Sequence, residues 1–358
     1  MNIILDDTNA KQWLYPFTAT RHAADIRIGI LTTREKWAYL PGFHIYTDSN
    51  TFFTENPGIE NGLPVRMEAN IIPTKEWLDE LLSNTGKQDF SEIQLIDSDR
   101  IKKLNYPWQI FQYNDWALRK DFEMITSGRV SQPLSSTNKI VCGDNIFLEA
   151  GAVVEHSILN ASAGPVYIGK NAQVMEGCMI RGAFALCEGA VLKMGTKVFG
   201  ATTIGPYCTV AGEIKNSVIF GYSNKAHDGY LGDSVIGEWC NLGAGTTNSN
   251  VKNTAGEVKV WSNAARDFLN AGLKCGLLMG DYSRCAINSS FNTGTVIGVC
   301  CNIFGQNFPP KFVGDFTWGK ERYTIDKALQ HIGNWQRLKG KITTEQEIEI
   351  LKHLYTQS

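Results

Sequence analysis

Eight aliphatic residues stand six positions apart: Ile168, Val174, Ile180, Leu186, Leu192, Val198, Ile204 and Val210. A helix face recurs every three to four residues and a half-buried strand every two, so neither explains a strict step of six. Such a step predicts a hexapeptide β-helix. Each hexad forms one short strand on one side of a three-sided coil, and its aliphatic residue points into a thin core. Glycine after the aliphatic residue, as in Ile168-Gly169 and Ile204-Gly205, suits corners that need unusual φ/ψ.

The period extends both ways. Val141, Phe147, Val153 and Leu159 keep it from a start near Lys139, and it breaks at Asn160 to Pro165. A second break separates Val210 from Tyr230, after which Tyr230, Ile236 and Leu242 resume the step. An insertion runs from Asn248 to Lys274, and Met279, Cys285, Phe291, Ile297 and Ile303 carry the last frame. Breaks in a solenoid map to loops that leave the coil on one side and tend to build binding sites. Residues 138–305 thus read as a left-handed parallel β-helix.

The flanks lack the period. In residues 1–106, Asn2–Asp6 and Ile93–Ile96 read as strands and Ile26–Trp37 and Lys75–Ser83 as helices, which predicts an α/β layer. Residues 107–137 read as a helical arm and linker, with Pro107 and Gly128 as punctuation and Trp108, Phe111, Trp116, Leu118, Phe122 and Ile125 as its apolar stripe. In residues 306–358, Phe308-Pro309-Pro310 stops the coil. Two helices, Ile325–Leu338 and Thr344–Tyr355, are expected to cap its open end.

The net charge of −2 gives no electrostatic reason to expect nucleic-acid or membrane binding. The first residues lack a signal peptide's basic and apolar regions, and no run of about 18 apolar residues spans a membrane. The nine cysteines form no CxxC pair, so reduced core thiols in a cytoplasmic protein are expected, with no resident metal.

Two stretches could carry chemistry. Tyr15 to Arg21, with Arg27, Arg34 and Lys36, concentrates three arginines and a lysine within sixteen residues. Phosphate binding through Arg21 and Lys36 is one reading, and a solvated basic helix face is the other. The richer polar cluster lies in the repeats: Lys215, Asn224, Lys225, His227, Asp228, Tyr230, Asn241, Asn248 and Asn250. A histidine beside ammonium and amide groups at a coil edge can bind an anion with a base at hand. The alternative for His227 is a structural edge histidine.

From Lys215 through His227-Asp228-Gly229-Tyr230-Leu231-Gly232-Asp233 to Asn241-Leu242-Gly243-Ala244-Gly245-Thr246 and Asn250, order and spacing resemble the acetyltransferase half of the bifunctional N-acetylglucosamine-1-phosphate uridyltransferase/glucosamine-1-phosphate acetyltransferase. The whole chain resembles a variant bacterial branch of sugar nucleotidyltransferase-like proteins, in which stretches like Arg21–Trp37 and Phe316-Thr317-Trp318-Gly319 recur. The resemblance implies a reduced nucleotidyltransferase-like first domain and a homotrimer. It implies acetyl-CoA as co-substrate for N-acetyl transfer to an amino-sugar phosphate or nucleotide sugar. His227 would be the general base, Lys215, Tyr230 and Asn241 would hold the sugar phosphate with Asn250 beside them, and Ala244 would lie near the thioester.

The family's Arg-Pro-Gly segment is missing after Pro206-Tyr207, as if about one coil were deleted, and Arg181 is a spatial substitute to test. Asn288–Gly294 is expected to line the coenzyme A site, with Lys252 or Lys259 as the loop lysine. The common uridyltransferase's Gly-rich loop ending in Gly-Thr-Arg is not visible, so Mg2+ is expected only if the first domain is active. A sugar-1-phosphate nucleotidyltransferase using Arg21 and Lys36, and a trimeric scaffold without chemistry, are the competing expectations.

Overall fold

The eight hexad residues from Ile168 to Val210 all face a single thin core, together with Met279, Cys285, Phe291, Ile297 and Ile303. The computed structural model describes residues 2–39, 41–49, 53–54, 64–83 and 99–358. Among these, residues 139 to 318 wind as a parallel solenoid with three faces, as expected of a left-handed hexapeptide β-helix. The first face runs from Ile146–Leu148 to Phe312–Val313, the second from Val153–Val154 to Thr317–Trp318, and the third from Lys139–Val141 to Tyr230–Gly232. Beyond Gly232 the third face continues as Thr247–Asn248 paired with Ser290–Phe291. Many corners hold non-glycine residues at positive φ, among them Tyr207, Tyr222, Trp239 and Tyr282. The rings of Tyr207, Tyr222 and Trp239 stack coil upon coil, with centroids 5.1 and 4.4 Å apart. Stacking of that kind offsets the cost of left-handed backbone.

The frame shifts where corners change length. Val141 and Val153 are 44% and 47% exposed. Ile140 and Val154 point inward in their place. Leu231, not Tyr230, fills the core. The break after Val210 is not a loop that leaves the coil. Val210 pairs with Lys225, fifteen residues on, whereas Val174, Leu192 and Val210 are eighteen apart. The coils there continue unbroken on tighter corners.

The amino-terminal unit packs on the first face. Strand β1 (Asn2–Asp6) pairs in parallel with β2 (His44–Asp48) and β3 (Val65–Glu68). Strands β4 (Ile71–Pro73) and β5 (Ile101–Lys103) form a separate antiparallel pair. The expected strand Ile93–Ile96 lies outside the described residues. Instead of one helix over Ile26–Trp37 there is a 3-10 turn at Ala23–Asp25 and a short α1 (Thr33–Trp37). Thr32 and Glu35 form a capping box that starts α1. Gly29, at φ +71, breaks the chain before it, and a Cβ there would collide with Asp121 and Ala117. Helix α2 (Lys75–Ser83) forms as expected, and the arm splits at Tyr113 into α3 (Gln109–Gln112) and α4 (Asn114–Thr126).

One apolar core joins Ile3, Leu5, Phe17 and Trp37 to Val218, Phe220, Val235 and Leu278 of the solenoid. The first face is buried on both sides, so its strands carry apolar residues outward as well as inward. Asn114 ties the junction: its Oδ1 accepts from Gly29 N at 2.8 Å and from the Thr203 hydroxyl at 3.2 Å, and its Nδ2 donates to Ala201 O at 3.0 Å. Within the insertion, Lys259–Ser262 and Asp267–Asn270 pair as an antiparallel hairpin. Val258, Val260 and Ala271 join the same core.

The expected cap is built differently. Glu321–Arg322 folds back antiparallel on Thr317–Trp318 and ends the second sheet. Helices α5 (Ile325–Leu338) and α6 (Glu345–Gln357) instead lie along the side of the coil, on Trp239, Tyr282, Cys300 and Phe316. No helix among the described residues is long and apolar enough to cross a membrane.

Candidate functional site

Polar residues left free by this packing gather on the edge between the second and third faces. Two corners stack there: Gly245 N donates to Asp228 O at 3.1 Å, and a Cβ on Gly229 (φ +127) would strike the Thr246 carbonyl. In the next coil Asn288 N donates to Ala244 O at 2.6 Å. His227, Ala244 and Asn288 therefore occupy successive turns of one edge, and His227 is exposed.

The third face follows that edge. Its strands put Ile214 and Leu231 inside and Lys215 and Tyr230 outside. The Lys215 ammonium lies 5.8 Å from the Phe199 ring centroid. Tyr230 folds over Gly232, where a Cβ would meet its phenol. Asp233, buried at φ 47, accepts from Asn216 Nδ2 at 2.6 Å and from Asn250 Nδ2. Burial first, then the charges of Asp233 and Glu213, push the Tyr230 phenol up to about 12, so it stays a neutral donor. Lys215 and Tyr230 thus share one face, and Asp233 holds Asn250 at the corner where that face ends. In the sequence Asp233 is only the last residue of the His227–Asp233 motif. Its signal was its place after Gly232 at a corner.

Arg181 projects from the third face in the column of Phe199 and Lys215. Phe199 separates it from Lys215 by two strand spacings, about 10 Å. Asn241 lies elsewhere, outward on the second face between Asn224 and Arg284. The tail reaches both neighbours: Lys339 Nζ donates to Asn224 Oδ1 at 3.0 Å, and the Arg284 guanidinium sits 5.5 Å from the Trp335 ring centroid. One chain therefore does not bring Asn241 to Lys215 and Tyr230.

The two loop lysines also separate. Lys259 starts the hairpin, on an exposed position. Lys252 lines a cavity of about 590 Å³ with Ser249, Asn292, Thr293 and Lys311. Burial and the neighbouring Lys252 charge pull Lys311 below its ordinary value. This cavity adjoins Asn250 and includes part of the Asn288–Gly294 segment.

The amino-terminal cations are already partnered. Arg21 pairs with Asp281 and, at 3.4 Å, with Glu238 of the solenoid, and its guanidinium lies 5.0 Å from the Phe220 ring centroid. Lys36 is 1% exposed and bonds to Asp121. Arg34 binds Asp25 at 2.6 Å, and Arg27 lies 3.6 Å from Glu35. Tyr15 donates to Asp315 at 2.7 Å and Thr20 donates to Asp281. Tyr15 to Arg21 is a docking seam along the solenoid, and neither a phosphate loop nor a solvated helix face. The reason is electrostatic: removing a cation from water is costly, and an adjacent carboxylate offsets that cost.

Asp6 and Asp48 stand at the carboxyl ends of β1 and β2, where open parallel sheets bind ligands, and Arg66 of β3 is 2.7 Å from both. Among the described residues no group of three or more His, Cys, Asp or Glu side chains is placed to hold a metal ion. A cleft of about 490 Å³ lies nearby, lined by Lys11, Tyr15, Phe53, Arg266, Asp315 and His353 among others.

Fold and edge together define a class: a nucleotidyltransferase-like α/β unit carried on a hexapeptide β-helix with carboxy-terminal helices. Residues 3–88 match the sugar nucleotidyl transferase family. The chain is similar to the bifunctional protein GlmU of Bartonella quintana, 27% identical over 49% of this chain and 38% of that protein. It is 30% identical to the bifunctional sugar-1-phosphate nucleotidylyltransferase/acetyltransferase of Sulfurisphaera tokodaii, over 64% of this chain and 54% of the relative. It is 26% identical to GlmU of Methanococcus maripaludis, over 61% and 50%. The chain thus spans about half the length of the curated relatives it matches.

Proposed function

We propose that this protein transfers an acetyl group from acetyl-CoA to the amine of an amino-sugar phosphate or nucleotide sugar, at the edge between the second and third faces of its solenoid. The observation that carries the reading is the stack of His227 on the Ala244 corner, with Lys215 and Tyr230 on the face that follows and Asn250 held at the corner where it ends. Lys215 supplies a positive charge for phosphate, and Arg181, in the same column, supplies a second one. Tyr230 and Asn250 supply neutral donors to the sugar.

The cavity beside Asn250, with Lys252 and Lys311, suits the anionic end of coenzyme A. The amine attacks the thioester carbonyl: a C–N bond forms, the C–S bond breaks and the thiolate of coenzyme A leaves. His227 accepts the amine proton, and positioning supplies most of the rate.

Asn241 lies on the second face, so it joins the site only if a neighbouring coil presents it, and the working form is a homotrimer. Cytoplasmic acetyl-CoA would feed it. The test is acetyl-CoA consumption against a panel of amino sugars, their phosphates and nucleotide sugars, by wild type and His227→Ala. Activity on at least one acceptor that His227→Ala loses supports the reading. Equal activity of the two proteins ends it.

A second reading, sugar-1-phosphate nucleotidyl transfer by the amino-terminal unit, is favoured by the family match over residues 3–88. Its site would be the cleft with Lys11, Arg266 and His353 rather than Arg21 and Lys36. Pyrophosphate release from a nucleoside triphosphate and a sugar phosphate tests it.

A further inference from the structure

One column of the solenoid core breaks its own rule. On the second face the inward residues of successive coils are Val154, Val174, Leu192, Val210, Lys225, Leu242, Cys285 and Ile303. Seven of these are apolar members of the core cluster. The eighth, Lys225, is 2% exposed. Its ammonium donates to the His227 carbonyl at 2.7 Å. A buried ammonium with one hydrogen bond is costly, and an aliphatic residue would pack better in this slot.

We infer that Lys225 is a positioning residue for His227. It grips the corner Ala226–Gly229 from inside the coil and fixes where the imidazole stands relative to the Ala244 turn. From outside, the same corner is held by Gly245 N donating to Asp228 O at 3.1 Å. Asp228, next in the corner, adds an attractive charge, and burial still draws the ammonium down to about 8. The corner thus has a clamp on each side, and the inner one is made at the expense of core packing. This inference rests on the acetyl-transfer reading for its catalytic consequence, and on geometry alone for the clamp.

The test compares wild type with Lys225→Met, which keeps the bulk and removes the donor, and Lys225→Leu, which restores the column's usual residue. Three quantities are read: thermal midpoint, the kcat and KM of acetyl transfer, and amide hydrogen exchange of Ala226–Gly229. The expected result is a midpoint equal to or above wild type, kcat lower by between about 10- and 100-fold, KM for acetyl-CoA within about two-fold, and faster exchange at the corner. A kcat within about two-fold of wild type in a folded variant overturns the inference while the acetyl-transfer reading stands. If wild type transfers no acetyl group, that reading falls. The clamp is then judged on exchange alone, and unchanged exchange overturns it. Failure of both variants to fold makes Lys225 a stability element and also overturns it.

Discussion

Two polar stretches of this chain look alike on paper and end in opposite situations. Tyr15 to Lys36 and Lys215 to Asn250 both mix cations with a histidine and aromatic residues. In the first, Arg21 is half-buried against Asp281 and Lys36 is buried against Asp121. In the second, His227 is exposed and Lys215 and Tyr230 project from the third face. The difference lies in partners rather than residue types. A side chain is available for chemistry when the fold leaves it unmatched at a surface, and composition along the chain does not report that.

The comparison breaks most sharply at His227. His227→Ala is expected to lower kcat for acetyl transfer by between about 100- and 10,000-fold, with the thermal midpoint unchanged. Lys36→Met should do the reverse. It leaves the buried Asp121 carboxylate without its cation, at a cost of about 3–5 kcal/mol in chemical denaturation, with the residual kcat of the folded fraction intact. Asp121 also accepts from Ile30 N at 2.7 Å and Leu31 N at 3.1 Å, so the loop before α1 should loosen with it.

Lys225 gives a pH signature. Its folded value is drawn from 10.5 to about 8 by burial. Between those values the unfolded chain holds the extra proton, so raising pH through this window favours the folded state. Wild type should gain on Lys225→Met by up to about 3 kcal/mol from pH 8 to pH 10.5, read as the difference between two denaturation series. A flat difference would show that the ammonium is not desolvated. Smaller again is Asn114→Ala, which removes the partner of Gly29 N and of the Ala201 carbonyl at the junction and should cost about 1–3 kcal/mol. Lys215→Ala should raise KM for a phosphorylated acceptor by about 10-fold and leave KM for acetyl-CoA in place.

The solenoid was legible because its core enforces one aliphatic residue per hexad, and each inward slot is filled independently of the next. The exceptions were corners. Val141, Val153 and Tyr230 fell on the period yet point outward, because a shortened or lengthened corner moves the frame by one without removing the hydrophobic residue beside it. Lys225 was visible in the polar cluster but not as a core residue, since no count of six reaches it from Val210. The amino-terminal unit was less legible. Its helix over Ile26–Trp37 was broken by Gly29, which is needed for close approach of α4. Its seam with the first face depends on contacts hundreds of residues apart, such as Tyr15 with Asp315.

The residues of the edge were readable as a motif, while their distribution over two faces and a corner was not. Asn241, one position before an inward leucine, had to point outward on the second face. Which side of the prism that is depends on every corner before it.

The most direct test of the account measures rate and melting on the same two proteins, His227→Ala and Arg21→Met. The account predicts that the first loses acetyl transfer at an unchanged midpoint and that the second melts several degrees lower with kcat preserved, a shift of about 4 °C or more for each lost kcal/mol being typical only of smaller domains. A wild-type rate in His227→Ala, or a kcat loss in Arg21→Met at an unchanged midpoint, would contradict it.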